Sequence, residues 1–258
     1  MKTFISFSGG VESTTMCILY GKDAAALWCD TGAEHEEMYK RIDDVEERIK
    51  KIHPSFYIVR IKPSVKVRGV VVDNLIDAVI VQKFMPSVMK RYCTGSFKIK
   101  PIDKFLKTQG DCRLLIGLNA DETERTGNLK MCKNVKYEYP LINEGIDRDD
   151  CENILKLHNL HPNFPAYMGR GGCSMCFFKS EKEYKAMYYQ NYAEYEKMVE
   201  FEKKYQDRRV KKYAIMSNGK TLSELKKECE NEMFKSDILT YYEEKTNKNK
   251  SCGPFCMR

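Results

Sequence analysis

The sequence predicts an α/β fold: a doubly wound, mostly parallel sheet followed by a helical C-terminal extension. Three observations carry this reading. Short apolar runs of strand length alternate with longer segments of helical periodicity, glycine-containing turns follow the first two runs, and beyond Ser180 the composition shifts to Lys, Glu and Tyr with few glycines. The expected organisation is a nucleotide-binding domain over residues 1–180 and a helical extension with a cysteine-containing tail over 181–258.

Thr3 to Phe7 is apolar and leads into a Gly-Gly turn, so it is the first strand, with a helix beginning near Val11. Ala24 to Trp28 is the second strand, ending at Cys29-Asp30-Thr31-Gly32, and Glu36 to Ile52 has helical spacing. Phe56 to Ile61 is the third strand. From Lys62 to Tyr92 the valines and isoleucines suit a helix or a strand equally, and the segment is read as a mixed connection. Pro101 to Gln109 is a helix, Arg113 to Leu118 and Tyr137 to Ile142 are the fourth and fifth strands, and Arg148 to His158 is a helix. Glu181 to Gln206 and Thr221 to Phe234 complete the helices, with Tyr184, Tyr188, Tyr192 and Tyr195 forming a packed stripe on one helical face.

A chain of 258 residues can bury one substantial core. Its formal net charge of +7 comes with both signs recurring along the chain, which favours an anionic substrate over a long nucleic-acid footprint. No apolar run is long enough to span a bilayer, and a cytoplasmic protein with no membrane partner is expected. In that setting the eleven cysteines are expected to be ligands, nucleophiles or packing residues rather than disulfides.

The sharpest feature is Ser8-Gly9-Gly10-Val11-Glu12-Ser13-Thr14 between the first strand and the first helix. Two glycines allow a tight turn that presents backbone N–H groups to an anion, and the following helix aims its positive end at the same point. Ser8, Ser13 and Thr14 add hydroxyls. No Gly-Lys-Ser/Thr follows, so this is not a Walker loop. In a parallel sheet this loop, Asp30-Thr31-Gly32 and the Asn119 to Arg125 loop converge beyond the carboxyl ends of the strands. Asp121 and Glu122 are candidate Mg²⁺ carboxylates, Arg125 a candidate anion contact, and Arg91, Lys98 and Lys100 a short basic cluster. Cys173 and Cys176, after two glycines, have a spacing that suits metal ligation, a redox dithiol or a plain turn.

The glycine loop resembles the PP-loop of the ATP pyrophosphatase superfamily. The motifs that follow it resemble the phosphoadenosine phosphosulfate (PAPS) reductase family: Asp30-Thr31-Gly32 with Glu34 to Glu37, Arg91-Tyr92-Cys93-Thr94 with Lys98 and Pro101, Gly117 to Arg125, Tyr139-Pro140-Leu141, and Gly172-Cys173-x-x-Cys176. The resemblance covers roughly residues 1 to 180. It implies an enzyme that binds ATP or PAPS with Mg²⁺, with Asp30 and its neighbours lining the adenosine pocket and His35 within reach of the nucleotide. It also implies Cys93 as a third metal ligand beside Cys173 and Cys176, around a 4Fe-4S cluster in preference to zinc.

Related iron-sulfur reductases carry adjacent cysteines where this chain has Cys93-Thr94, so one cluster iron would stay open to a sulfur ligand unless the tail supplies a fourth thiolate. Cys256 is the favoured fourth ligand. Cys252, followed by Gly253, is the favoured nucleophile. Because the Ser-Gly-Gly-x-x-Ser loop is intact, the resemblance favours ATP-dependent adenylation followed by sulfur transfer. A sulfonucleotide reductase working with a thioredoxin-like reductant is the alternative, and a non-catalytic metal-stabilised binding module stands third. The acceptor, which includes nucleic acid among its options, the sulfur donor and a homodimeric state stay open.

Overall fold

The computed structural model describes residues 1–87, 89–126, 132–169, 171–206 and 214–231. Five parallel strands form the central sheet: β1 at Lys2–Ser6, β2 at Ala25–Cys29, β3 at Ile58–Ile61, β6 at Cys112–Ile116 and β7 at Val135–Glu138, in the order β3-β2-β1-β6-β7. Both faces are covered, which explains why β2 reads as an unbroken apolar run rather than an alternating one. Ile5, Ala26 and Trp28 face one cluster and Phe4, Ala25, Leu27 and Cys29 the other, as the two-residue period of a strand requires.

The first face packs on α1 (Val11–Tyr20), α2 (Glu36–Ile52), α3 (Leu75–Gln82) and α7 (Arg148–Leu157). The same cluster continues through α8 (Glu181–Gln190), α9 (Tyr192–Gln206) and α10 (Leu222–Asn231), so the C-terminal helices share one core with the sheet. The second face packs on α5 (Lys100–Lys107) through Ile102 and Leu106. No helix among the described residues is long and apolar enough to cross a membrane.

The mixed connection after β3 resolves into an antiparallel hairpin, β4 (Val65–Val67) and β5 (Val70–Val72), followed by α3, whose N-cap Asn74 accepts from the Asp77 amide. Two expectations are corrected by local chemistry. The fifth strand ends at Glu138 rather than Ile142, because Pro140 cannot extend a ladder and instead starts the short helix α6 (Pro140–Asn143). The single helix expected over residues 181–206 is two, broken at Asn191, whose side chain accepts from the Glu194 amide at 3.2 Å and starts α9. The tyrosine stripe packs across that break: Tyr184 and Tyr195 are fully buried, and Tyr188 meets Tyr192 and Tyr195 edge-on at 5.3 Å.

The helix expected from Pro101 begins earlier. A short helix α4 (Tyr92–Thr94) runs through a π-helical segment, Gly95–Ile99, into α5, so Cys93 and Lys98 lie on one continuous helical rod.

Candidate nucleotide and thiol site

The glycine loop sits between the carboxyl end of β1 and the start of α1. Gly10 is the N-cap of α1 and no side chain caps the helix there, so the first amides face the loop unclaimed by a cap. Gly9 has φ of +79°, and a Cβ at this position would lie 2.9 Å from Met38 Sδ and 3.2 Å from Ile42 Cδ1. Ser13 Oγ accepts from the Ser8 amide at 3.2 Å and lies 3.1 Å from Ser8 Oγ, tying the two ends of the turn together.

Not every polar residue of the motif faces a ligand. Thr14 is fully buried and its hydroxyl donates to the Gly10 carbonyl at 2.7 Å. Glu12 is held by Arg148 Nη1 at 2.5 Å and Asn119 Nδ2 at 3.3 Å. Arg148 neutralises a carboxylate that would otherwise repel an anion at this helix start. Arg41 of α2 is buried beneath the loop and donates to the carbonyls of Gly9 at 3.5 Å and Leu160 at 2.5 Å and to Thr14 Oγ1 at 3.4 Å. Burial pulls the Arg41 pKa down to about 10, and the residue stays cationic at neutral pH.

Asp30 follows β2 and accepts from the Gly32 amide at 2.9 Å and Tyr39 Oη at 2.7 Å, while Thr31 Oγ1 donates to Glu34 at 2.9 Å. After β6, a 3-10 turn, Ala120–Arg125, carries an exposed Asp121 and pairs Arg125 with Glu122. Its start is tied to α1 through the Asn119 contact to Glu12, and Gly117 lies so close to the Ser13 amide that a Cβ would be 3.3 Å from it.

The cysteine loop is docked against the first turn of α2. The Gly172 carbonyl accepts from the His35 amide at 2.6 Å, and Ser174 N donates to the Ala33 carbonyl at 2.9 Å. Met38 is the spacer between the two loops, because a Cβ on Gly172 would meet its Cε at 2.7 Å and one on Gly9 its Sδ. Cys173 and Cys176 lie with Cys93 in electrostatic reach of Lys98, whose Nζ is 3.8 Å from Glu34 Oε1. Burial alone would lower the Lys98 pKa, but Glu34 and then Cys173, Cys93 and Cys176 raise it above the ordinary lysine value. Burial raises the Cys173 and Cys176 thiols. The described cysteines are all free thiols, and Cys252 and Cys256 lie outside the described residues.

His35 does not reach a nucleotide; it is fully buried. Its Nδ1 is 2.7 Å from Glu194 Oε1 and its Nε2 is 3.0 Å from Lys179 Nζ, which also donates to the Tyr167 carbonyl. Burial lowers the His35 pKa despite the Glu194 contact, so the ring is neutral, donating to Glu194 and accepting from Lys179. A depressed histidine pKa gives stability that is complete above the unfolded value of about 6.5 and is lost as pH falls below it. Urea unfolding should therefore show the wild-type chain losing more stability than His35→Gln between neutral pH and about pH 5, by up to ~1.4 kcal/mol per pH unit. Parallel pH profiles would remove this role from His35.

A parallel sheet with an uncapped glycine turn at the end of its central strand and three thiols beside it defines the geometry. Residues 2–143 match the phosphoadenosine phosphosulfate reductase domain family. The chain belongs to this family. It is also similar to an uncharacterised nin region protein of Escherichia phage lambda, 26% identical over 206 residues that make up 71% of this chain and 68% of the relative. An uncharacterised protein of Methanocaldococcus jannaschii is 28% identical over 145 residues, 54% of this chain and 27% of the relative. This PAPS reductase-family chain thus spans about a quarter of the archaeal relative's length. Family membership implies an adenine-nucleotide site, and the glycine loop lies within the matched residues.

Proposed function

We propose that the chain binds ATP at Ser8-Gly9-Gly10-Val11-Glu12-Ser13-Thr14, adenylates an oxygen-bearing acceptor with release of pyrophosphate, and then exchanges that oxygen for sulfur. The observation that carries this reading is the uncapped start of α1 behind a φ-positive Gly9, a seat for a polyphosphate rather than a mere turn. The acceptor oxygen attacks the α-phosphorus and pyrophosphate leaves. The loop amides and Ser13 stabilise the charge that builds on the α-phosphate, and Asp121 or Glu122 would hold Mg²⁺ against the triphosphate. Asp30, Thr31 and Gly32 flank the adenosine, and Lys98 and Arg125 offer cations to the acceptor side. The outer sulfur of a persulfide on Cys252, the favoured nucleophile, loaded by an external persulfide donor, then displaces AMP. A second thiolate attacks Cys252 Sγ to release the thiolated acceptor and leave a disulfide for an external thiol reductant.

Cys93, Cys173 and Cys176 would hold an iron-sulfur cluster in preference to a single zinc ion. Among the described residues, His35, Glu37 and Glu194 are the group of three ligand atoms gathered within 4.8 Å, and the three sulfurs are not. One zinc with Zn–S bonds of about 2.3 Å needs its sulfurs within about 4.6 Å of each other. A 4Fe-4S cluster held by these thiolates, with Cys256 as fourth ligand or one iron left open, would supply a site for sulfur. Lys98 would balance its negative charge.

Anaerobically purified protein should release pyrophosphate from ATP and yield no sulfite from PAPS, and Ser13→Ala should cut the pyrophosphate rate by about 10-fold or more. Sulfite formation without pyrophosphate would replace this reading with a sulfonucleotide reductase.

A further inference from the structure

Both charge signs recur along the chain, but their balance is not uniform. Residues 62–107 hold ten Lys and Arg against three Asp, a formal +7, which equals the net charge of all 258 residues. The rest of the chain sets 34 basic residues against 34 acidic ones.

Exposed cations without an ion pair are also denser in this segment than elsewhere. On α2 the surface cations are paired, Lys40 with Glu36, Arg48 with Asp44, Lys50 with Glu46 and Lys51 with Glu47, and the exposed lysines without an ion pair elsewhere among the described residues, such as Lys22, Lys133 and Lys156, are scattered along the chain. Inside the segment, Lys62, Lys66, Arg68, Lys83, Lys90, Lys100, Lys104 and Lys107 are exposed and form no ion pair among the described residues. Unpaired like charges repel, so their concentration in one segment costs stability unless an external anion offsets it.

The segment crosses the sheet at the site. It leaves the end of β3, packs α3 on the first face and α5 on the second, and returns through β6. On the way Leu75 N donates to the Thr31 carbonyl at 2.8 Å, and the segment carries Cys93 and Lys98. On α5 the buried residues are Ile102 and Leu106, which leaves Lys100, Lys104 and Lys107 as an outward row spaced by about 6 and 4.5 Å of helix rise. On β4, Lys66 is exposed while Val65 and Val67 turn inward, and Arg68 continues at the hairpin turn. Rows of unpaired cations suit a linear polyanion better than a compact one. The exposed Val70, Val71 and Met89 beside them offer apolar contact to bases.

We infer that residues 62–107 form a docking surface for single-stranded nucleic acid, which lies along the Lys100–Lys104–Lys107 row and the β4–β5 hairpin and presents a nucleotide to the loop. This rests on the adenylation reading and names the acceptor class for it. A single strand is specified because Gly9 and Ser13 lie buried at the carboxyl end of the central strand β1, where a base held in a rigid duplex cannot enter.

The test is fluorescence anisotropy of a labelled mixed-sequence single strand, RNA and DNA in parallel, titrated with the full chain over a range of salt. The wild-type chain should bind with a steep salt dependence. Lys66→Gln/Arg68→Gln/Lys104→Gln/Lys107→Gln should weaken binding by about 10-fold or more and reduce the slope of log K against log salt by about 3, at ~0.7 for each phosphate no longer neutralised. The charge-matched control Lys22→Gln/Lys40→Gln/Lys50→Gln/Lys51→Gln should leave both unchanged. Equal losses in the two variants, tighter binding to a duplex, or binding to vesicles of anionic lipid without binding to the strand would overturn the inference. ATP binding on the same preparations separates the two readings. A chain that binds ATP and no strand overturns this inference alone, whereas one that binds the strand and no ATP overturns the adenylation reading and with it the acceptor role.

Discussion

Arg148→Met is expected to cost the protein both stability and nucleotide. The Arg148 to Glu12 contact at 2.5 Å joins α7 to the first turn of α1, and its loss strands a carboxylate that is 10% exposed. Breaking a fully buried pair costs about 3–5 kcal/mol; with the Arg148 side chain 24% exposed, about 2 kcal/mol is expected, read from urea unfolding. The larger effect is on ATP. A Glu12 carboxylate left with only the Asn119 contact, at the helix start proposed to seat the triphosphate, should weaken ATP binding by about 10-fold or more. Glu12→Gln/Arg148→Met removes both charges and should recover most of that affinity. If the double variant binds ATP no better than the single one, Arg148 is only a packing residue.

Gly9→Ala should fold poorly where Gly10→Ala folds well. A side chain at φ of +79° costs about 1–2 kcal/mol, and the new methyl would also push on the buried Met38 and Ile42. Gly10 has φ of −77° and a Cβ there meets only Ser8 Oγ, at 3.4 Å. A melting-temperature drop of several degrees for the first variant and little change for the second is the expected pattern. In Gly9→Ala the amides no longer converge, and ATP binding should be lost even under conditions where the chain stays folded. Equal melting temperatures would show that the turn is not held as described.

The fold was legible from the sequence where burial on both faces writes a short apolar run, as in Ala25–Cys29 and Cys112–Ile116, and where a turn residue closes it. It was less legible where one side chain overrides a pattern. Asn191 breaks a helix whose periodicity runs straight through it, and Pro140 turns an expected strand into a helix start. At the site, the loop and Asp30-Thr31-Gly32 stood out because glycine and hydroxyl spacing is local. Arg41 and Arg148 did not, because their partners are distant in sequence: Leu160 for Arg41 and Glu12 for Arg148. His35 misled for the same reason, since its place beside acidic residues does not reveal that Glu194 and Lys179 enclose it.

The order of the sheet also governs how the chain can assemble during synthesis. β1 lies between β2 and β6, yet β6 is made 50 residues after β3 is complete, if counted from Ile61 to Cys112. At about 5–20 residues per second, the half-sheet β3-β2-β1 waits several seconds with the open edge of β1 exposed beside the nascent glycine turn. An unfinished edge of this kind is where a growing polypeptide pairs wrongly with a neighbour. Slow or paused translation between residues 62 and 111 thus lengthens the interval in which that edge stands open.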